Sequence, residues 1–465
     1  MNQVLEKPTA ISLAEGRLAL LGGKPVVTEI PEDLFTWPII TREDEEAVLG
    51  VLRAGQMSGI ALTQEFERDY ERWSGAKHAL GFNNGTASLL AAMFAVGVGE
   101  GDEVICPATT YWASALPAFS LGATVVFADI DAETLCLDPV KLERHITPRT
   151  KAIVVVHYLG HPAEMDAIME IARRRGVKVI EDVSHAHGAL YKGRMAGTLG
   201  DVAGYSLMAG KSLAVGEGGM LTTNDREIYE RAVAFGHYER FGDEIESAAL
   251  RPYAGLPLGG VKNRMHQLSS AVGRVQLRHY DERTREIRRA MNLFWDLLEG
   301  VPGLRSHRVD ESTGSHMGGW YAPHGFYVAE ELGGLSLSRF CEAVRAEGVP
   351  ECIPGCNLPL HLHRIFQDAD IYHHGRPTRL AHTDRDVREA VGTLPVAEAA
   401  CGRTYAIPWF KHYIPEVIER YAAAYRKVAE KADKLRAEDP GDPASLGGWH
   451  FYQARKVPAP ETAET

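Results

Sequence analysis

Between Thr41 and Asn224 the chain alternates two kinds of segment. "GDEVICPA", "GATVVFADI", "KAIVVVHYL" and "GVKVIEDV" are short apolar runs rich in Val and Ile, which reads as strands buried on both faces. Between them lie helical stretches such as "EMDAIMEIARRRG". An earlier one, "TREDEEAVLGVLRAG", starts acidic and ends at glycine, the polarity a helix prefers. Glycines precede several of the strands, as expected where a helix ends and the chain turns back. This rhythm predicts βαβ units, hence an α/β fold with a mostly parallel sheet flanked by helices.

The pattern changes after a long helical region, Asn263 to Gly300. "GGWYAPHGFYVAEEL", "LSLSRFCEAVRAEGV" and the amphipathic "IPEVIERYAAAYRKVAEKADKL" predict a smaller α+β domain. We therefore divide the chain into an N-terminal arm with a large domain over 1–290, a small C-terminal domain over 291–438 and a C-terminal extension over 439–465. The extension is rich in Pro, Gly and Ala and is expected to have little core of its own. No internal repeat is visible.

Composition narrows the function classes. The 465 residues suit two domains, and 45% apolar with 24% charged residues is ordinary for a soluble globular protein. A formal net charge of −12 disfavours a nucleic-acid backbone or an anionic membrane as the main partner, while leaving room for a local phosphate pocket. No apolar run of about 18 residues argues for a membrane span. The first residues lack a basic start followed by an apolar core, so no signal peptide is expected. Of six scattered cysteines only Cys352 and Cys356 are close, with no second pair to complete a zinc site, and a reducing cytoplasm fits.

In sheets of this kind ligands sit at the carboxyl ends of the strands, and suggestive residues cluster there. "NNGTASL" puts Asn84, Gly85 and Thr86 at a helix start, which suits an anion or an ordinary cap. "CPATTYWAS" places Tyr111 and Trp112 just after a strand, where an aromatic either lies on a planar ligand or packs in the core. "VKVIEDVSHAHGA" ends a strand in Glu181 and Asp182, followed by His185 and His187. A buried acid needs a cationic partner, and a protonated ring nitrogen is one, although a helix cap is the plainer alternative. "YSLMAGKSLAVGEGG" then holds Ser206 and Lys211 among small and apolar residues. Together these supply what pyridoxal phosphate needs: an amine for its aldehyde, a carboxylate for its pyridine nitrogen and donors for its phosphate. His361, His363, His373 and His374 invite a metal reading, but their spacing is not diagnostic; a polar substrate pocket or plain surface is expected.

The chain resembles the DegT/StrS-type aminotransferases, fold-type-I pyridoxal-phosphate enzymes that aminate keto-sugars and related cyclitol ketones. The resemblance covers about residues 17–430. It rests on "LALLGGKP", "NNGTASL", "GDEVICPATTYWAS", "VVHYLGHPAEMD", "VIEDVSHAHGA", "GYSLMAGKSLAVGEGGMLTT" and "GGVKNRMHQLSSAVGRVQL", in the family's order. It implies Lys211 as the Schiff-base lysine and Asp182 as the partner of the pyridinium nitrogen. Ser206, with the backbone at Gly85 and Thr86, would bind the phosphate, and Tyr111 would stack on the ring, with Trp112 shaping the pocket. Asn263 would reach the phosphate of a partner subunit, making a homodimer with shared sites. His185 stands where a glutamine is commoner, and "HYLG" replaces the usual "HLYG", which leaves His157, Tyr158 and Leu159 without assigned roles. The implied reaction moves an amino group from glutamate or glutamine to a small-molecule keto-sugar or cyclitol ketone. A dehydrating relative replaces the lysine with histidine, and a non-catalytic regulator would not need Lys211, Asp182 and Ser206 together.

Overall fold

A computed structural model of the chain describes residues 16–448. The apolar runs form the expected strands: β1 (His78–Phe82), β2 (Glu103–Pro107), β3 (Thr124–Ala128), β4 (Thr150–Val156) and β5 (Lys178–Asp182). A hairpin of β6 (Leu190–Tyr191) and β7 (Arg194–Met195) follows, then β8 (Val202–Ser206) and β9 (Gly219–Thr223). Seven of these make one sheet in the order β1-β9-β8-β5-β4-β2-β3. Neighbours from β8 to β3 are parallel, and only β9 runs against both of its neighbours. Every residue of β2 and β3 is buried, which is why these strands show no polar alternation.

A second, antiparallel sheet has the order β10 (Leu304–Ser306), β11 (His324–Tyr327), β13 (Thr404–Ala406), β12 (Ile353–Pro354). The helix Gln267–Leu297 links the two cores. Its Leu277 and Tyr280 pack with Tyr205 and Met220 beneath the large sheet. From Ile287 onward its Met291 and Phe294 join the second core with Phe340, Tyr421 and Tyr425. The arm residues Leu18, Val27 and Leu34 also belong to this second core, whereas Leu360, Phe366, Leu394 and Ala397 pack against the large sheet.

The histidine-rich stretch covers the β3 edge, where unpaired backbone groups would otherwise be open to another strand. Arg379 is buried and donates to the Val125 carbonyl at 2.8 Å and the Val387 carbonyl at 3.0 Å. It pairs with Glu389, whose Oε1 accepts from the Phe127 N–H at 2.9 Å. His361 is buried against Glu398, His363 caps the turn Arg364–Gln367, and His373 and His374 are exposed. Among the described residues no group of three or more His, Cys, Asp or Glu is placed to hold a metal, and no helix is long and apolar enough to cross a membrane.

Candidate active site

β5 ends in two adjacent acids that strand alternation sends to opposite faces. Glu181 accepts from the N–H groups of Gly197 and Leu199, each at 2.8 Å, from Gly200 at 2.6 Å and from His157 Nε2 at 2.9 Å. Its acceptor capacity is spent on the loop after β7 and on His157. Asp182 has fewer donors: Ser114 Oγ–H to Oδ2 at 2.7 Å and the Ser184 N–H to Oδ1 at 3.1 Å. Because the Ser114 proton goes to Asp182, Thr110 Oγ1, 3.0 Å away, donates to Ser114. Burying a carboxylate costs several kcal/mol, on the order of the Born penalty after relaxation; two donors offset part of that and fix its plane. The remaining lone pairs suit a cation in the cavity.

At the other end of the cavity the helix Gly85–Ala95 begins. The Asn84 side chain accepts from the Ala87 N–H at 2.8 Å, while the N–H groups of Gly85 and Thr86 precede the first intrahelical bond and favour an anion. Glycine is required here by close approach. A Cβ on Gly85 would lie 2.7 Å from Ser206 Cα, and one on Gly219 would lie 2.3 Å from the Asn84 carbonyl oxygen. The Ser206 hydroxyl thereby sits against the helix start. Ser184 links the two ends, its N–H on Asp182 and its Oγ accepting from the Ser206 N–H at 3.0 Å.

Lys211 follows β8 on a turn closed by its N–H to the Met208 carbonyl at 2.8 Å, and is only 7% exposed. Its own carbonyl accepts from Trp37 Nε1 at 2.9 Å, and its Nζ lies 4.0 Å from the centroid of the Tyr321 ring. His185 Nδ1 accepts from the Leu159 N–H at 3.3 Å, which assigns the ring proton to Nε2. Burial, and then the nearby Lys211 charge, hold His185 well below the ordinary histidine range, so the ring is neutral. In "HYLG", His157 braces Glu181, Tyr158 donates to Asn357 Oδ1 at 2.7 Å, and Leu159 takes a left-handed φ of 54° to reach His185.

One cavity of about 690 Å³ is lined by Gly85, Thr86, Tyr111, Asp182, His185, Ser206 and Lys211. Asn263 lies outside this lining. Its carbonyl accepts from the Asn83 N–H at 2.8 Å and its N–H donates to the Gly236 carbonyl at 3.3 Å. Trp112 stands behind Tyr111, ring centroids 4.9 Å apart, and is not part of the lining.

The sequence reading passed over Thr110, Ser114, Ser184, Tyr321 and Asn357. A buried acid demands donors, so hydroxyls near Asp182 were to be looked for, but nothing local says which ones. It also missed that Gly447 and Gly448 line the cavity. The extension was expected to be peripheral; its described part, 439–448, bridges Gly448 to Asn357 and packs Gly447 onto the Cys356 carbonyl so closely that a Cβ would come within 2.2 Å, and the rest lies outside the described residues.

This donor set fits pyridoxal phosphate. The helix start and Ser206 offer donors for an anion, Asp182 an acceptor for a protonated ring nitrogen, Lys211 an amine for an aldehyde, and Tyr111 a flat face.

The sequence profile described as the DegT/DnrJ/EryC1/StrS aminotransferase family matches residues 38–426. The chain is 35% identical over 413 residues to the spore coat polysaccharide biosynthesis protein SpsC of Bacillus subtilis, covering 86% of this chain and 97% of that protein. It is 36% identical over 365 residues to an L-glutamine:2-deoxy-scyllo-inosose aminotransferase of Streptoalloteichus tenebrarius, covering 76% and 84%. Among solved structures, the aminotransferase from Psychrobacter cryohalolentis superposes with a TM-score of 0.73 at 27% identity, covering 87% of this chain and 100% of that one.

Proposed function

The chain belongs to the DegT/DnrJ/EryC1/StrS aminotransferase family, and on that premise we propose how its own residues carry the reaction. It is a pyridoxal-phosphate-dependent aminotransferase acting on a keto-sugar or cyclitol ketone. When bound, the cofactor supplies an aldehyde and an electron sink. Lys211 anchors it and moves the proton on and off the substrate carbon, first as base and then as acid. Asp182, held by Ser114 and Ser184, keeps a proton on the ring nitrogen. Gly85, Thr86 and Ser206 would bind the phosphate, Tyr111 would pack on the ring, and neutral His185, with its proton on Nε2, would donate to a ring oxygen. Glutamate or glutamine gives the amino group in one half-reaction, taking up an oxygen from water and leaving as its 2-oxo acid. The ketone receives it in the second, its oxygen leaving as water.

The observation that carries this reading is a single cavity holding a buried amine, a braced acid and an open helix start. We further propose a cytoplasmic homodimer in which Asn263 completes the partner's phosphate site. The domain division near residue 290 belongs to the same proposal; the change of core at Ile287 supports it, whereas the arm residues Leu18, Val27 and Leu34 pack in the second core and Leu360, Phe366, Leu394 and Ala397 in the first. The test is spectroscopic. The purified protein should carry a visible absorbance band that bleaches on adding glutamate or glutamine. Lys211→Ala should lack the band and lose multiple turnover; full transaminase activity in that variant would refute the assignment.

A further inference from the structure

We propose that Tyr321 is a positioning residue for Lys211, the face of its ring retaining the lysine ammonium beside the reacting carbon whenever the amine is not condensed. This rests on the role of Lys211 given above. A ring face attracts a cation through its quadrupole but has no lone pair that takes the proton. It therefore holds an amine in place without competing for the proton the amine must deliver. Among the described residues no carboxylate pairs with Lys211, and the contact of Nζ is with this ring, 4.0 Å to the centroid.

The placement of Tyr321 is built at a cost. Its two neighbours, Trp320 (φ 52°) and Ala322 (φ 48°), both occupy the left-handed region, which side-chain-bearing residues avoid. The segment before it is threaded through gaps that admit only glycine. A Cβ on Gly318 would lie 2.2 Å from the His187 carbonyl oxygen, and one on Gly319 would lie 2.4 Å from Ser212 Cβ, next to Lys211. Trp320 is buried and anchors the turn.

The ring itself is fixed on two sides. His185 lies 4.7 Å away, and Trp409 meets it edge-on at 5.7 Å and 87°. Trp409 Nε1 donates to the Gly319 carbonyl at 3.0 Å, and the Trp409 ring is 6.2 Å from Trp37, which holds the Lys211 carbonyl. One aromatic group thus grips the lysine at both its backbone and its amine.

The test compares Tyr321→Phe and Tyr321→Leu in the full-length holoenzyme under excess glutamate or glutamine, whichever bleaches the band, so that Lys211 is released. A lysine acylating reagent is added and labelling of the Lys211 peptide is followed by mass spectrometry, alongside kcat and KM for the ketone. Loss of the ring face should raise Lys211 labelling between about 2- and 30-fold in Tyr321→Leu, the range of a cation–π contact. kcat should fall by a similar factor with KM unchanged. Tyr321→Phe, which keeps the face, should stay within about 2-fold of wild type. Labelling in Tyr321→Leu equal to wild type overturns the proposal, as does a Phe variant that behaves like the Leu one. Should the Leu variant fail to fold, isosteric fluorinated phenylalanines at 321 decide: labelling must climb with each fluorine at constant melting temperature, and a flat series overturns it. Wild-type protein with no donor-sensitive band would instead sink the reading of Lys211 itself.

Discussion

Among the described residues two donors reach Asp182, which leaves it lone pairs to spare, whereas Glu181 is consumed by four. That difference decides which acid is available to a ring nitrogen, and it makes a prediction. Asp182→Asn preserves the shape and keeps an acceptor for Ser114, so its cost to folding should be about 1–3 kcal/mol at most. An amide does not keep a ring nitrogen protonated, so turnover should fall by a far larger factor, on the order of 100-fold or more, if the electron sink depends on that charge. Thermal melting and kcat measured on one preparation separate the two, and wild-type turnover would reduce Asp182 to a cap. At this scale the sequence was informative where chemistry dictates residue type. An amine five places after a serine, and an acid at the end of a buried strand, stand out against their surroundings. Ser114 and Tyr321 did not, because each matters only through a partner 68 or 110 residues away: Asp182 for one, Lys211 for the other.

Among the elements, the strands were legible for the opposite reason: a strand buried on both faces writes its burial into every residue. The edge cover was not. Arg379 and Glu389 read as surface charges until the β3 backbone supplies their partners. Nor was the pairing of Asn357 with Gly448, made across some ninety residues by glycine-rich chain with no periodicity. In the proposed site, the junction of β8 with the helix start is the element on which cofactor binding would turn, and glycine makes that junction possible. Gly85→Ala places a methyl 2.7 Å from Ser206 Cα, where backbone rather than a flexible side-chain end must yield. Such overpacking costs about 1–3 kcal/mol, and here it falls on the phosphate cradle, so the cofactor dissociation constant should rise roughly 5- to 150-fold by the same energy. Gly50→Ala is the control. Among the described residues, nothing beyond its chain neighbours and its own helix backbone lies within 4 Å of a Cβ there, and in the helix Arg42–Arg53 alanine should stabilise by about 0.5–1 kcal/mol. Equal cofactor affinity in Gly85→Ala and wild type, by fluorescence titration, would remove the cradle from the argument.

The whole molecule carries consequences that no single element does. Burial pushes His187 down to about 3 and His237 to about 4, so both are neutral in the folded protein. Unfolded, they take up protons near 6.5, so the unfolded state binds more protons as pH falls and stability drops with it. Between pH 7 and pH 5 the loss is roughly 2 kcal/mol for each, and a melting temperature that stays flat over that range would contradict neutral burial. Assembly is the larger question. Asn263 is tied by its backbone to Asn83 and Gly236 and stays outside its own chain's cavity. The loop leading to it exposes Tyr253 (58%), Leu256 (75%) and Leu258 (40%), apolar surface that a two-fold partner would cover. Isologous pairing creates two composite sites at once. Mixing Lys211→Ala chains with Asn263→Asp chains, each inactive or impaired alone, therefore puts both defects in one site of the mixed dimer and neither in the other. With random exchange, half the dimers are mixed and each holds one intact site, so activity should return to about a quarter of wild type. If Asn263 serves only its own chain, every site in the mixture carries one defect. Subunit exchange without recovery of activity would then show that the sites are not shared.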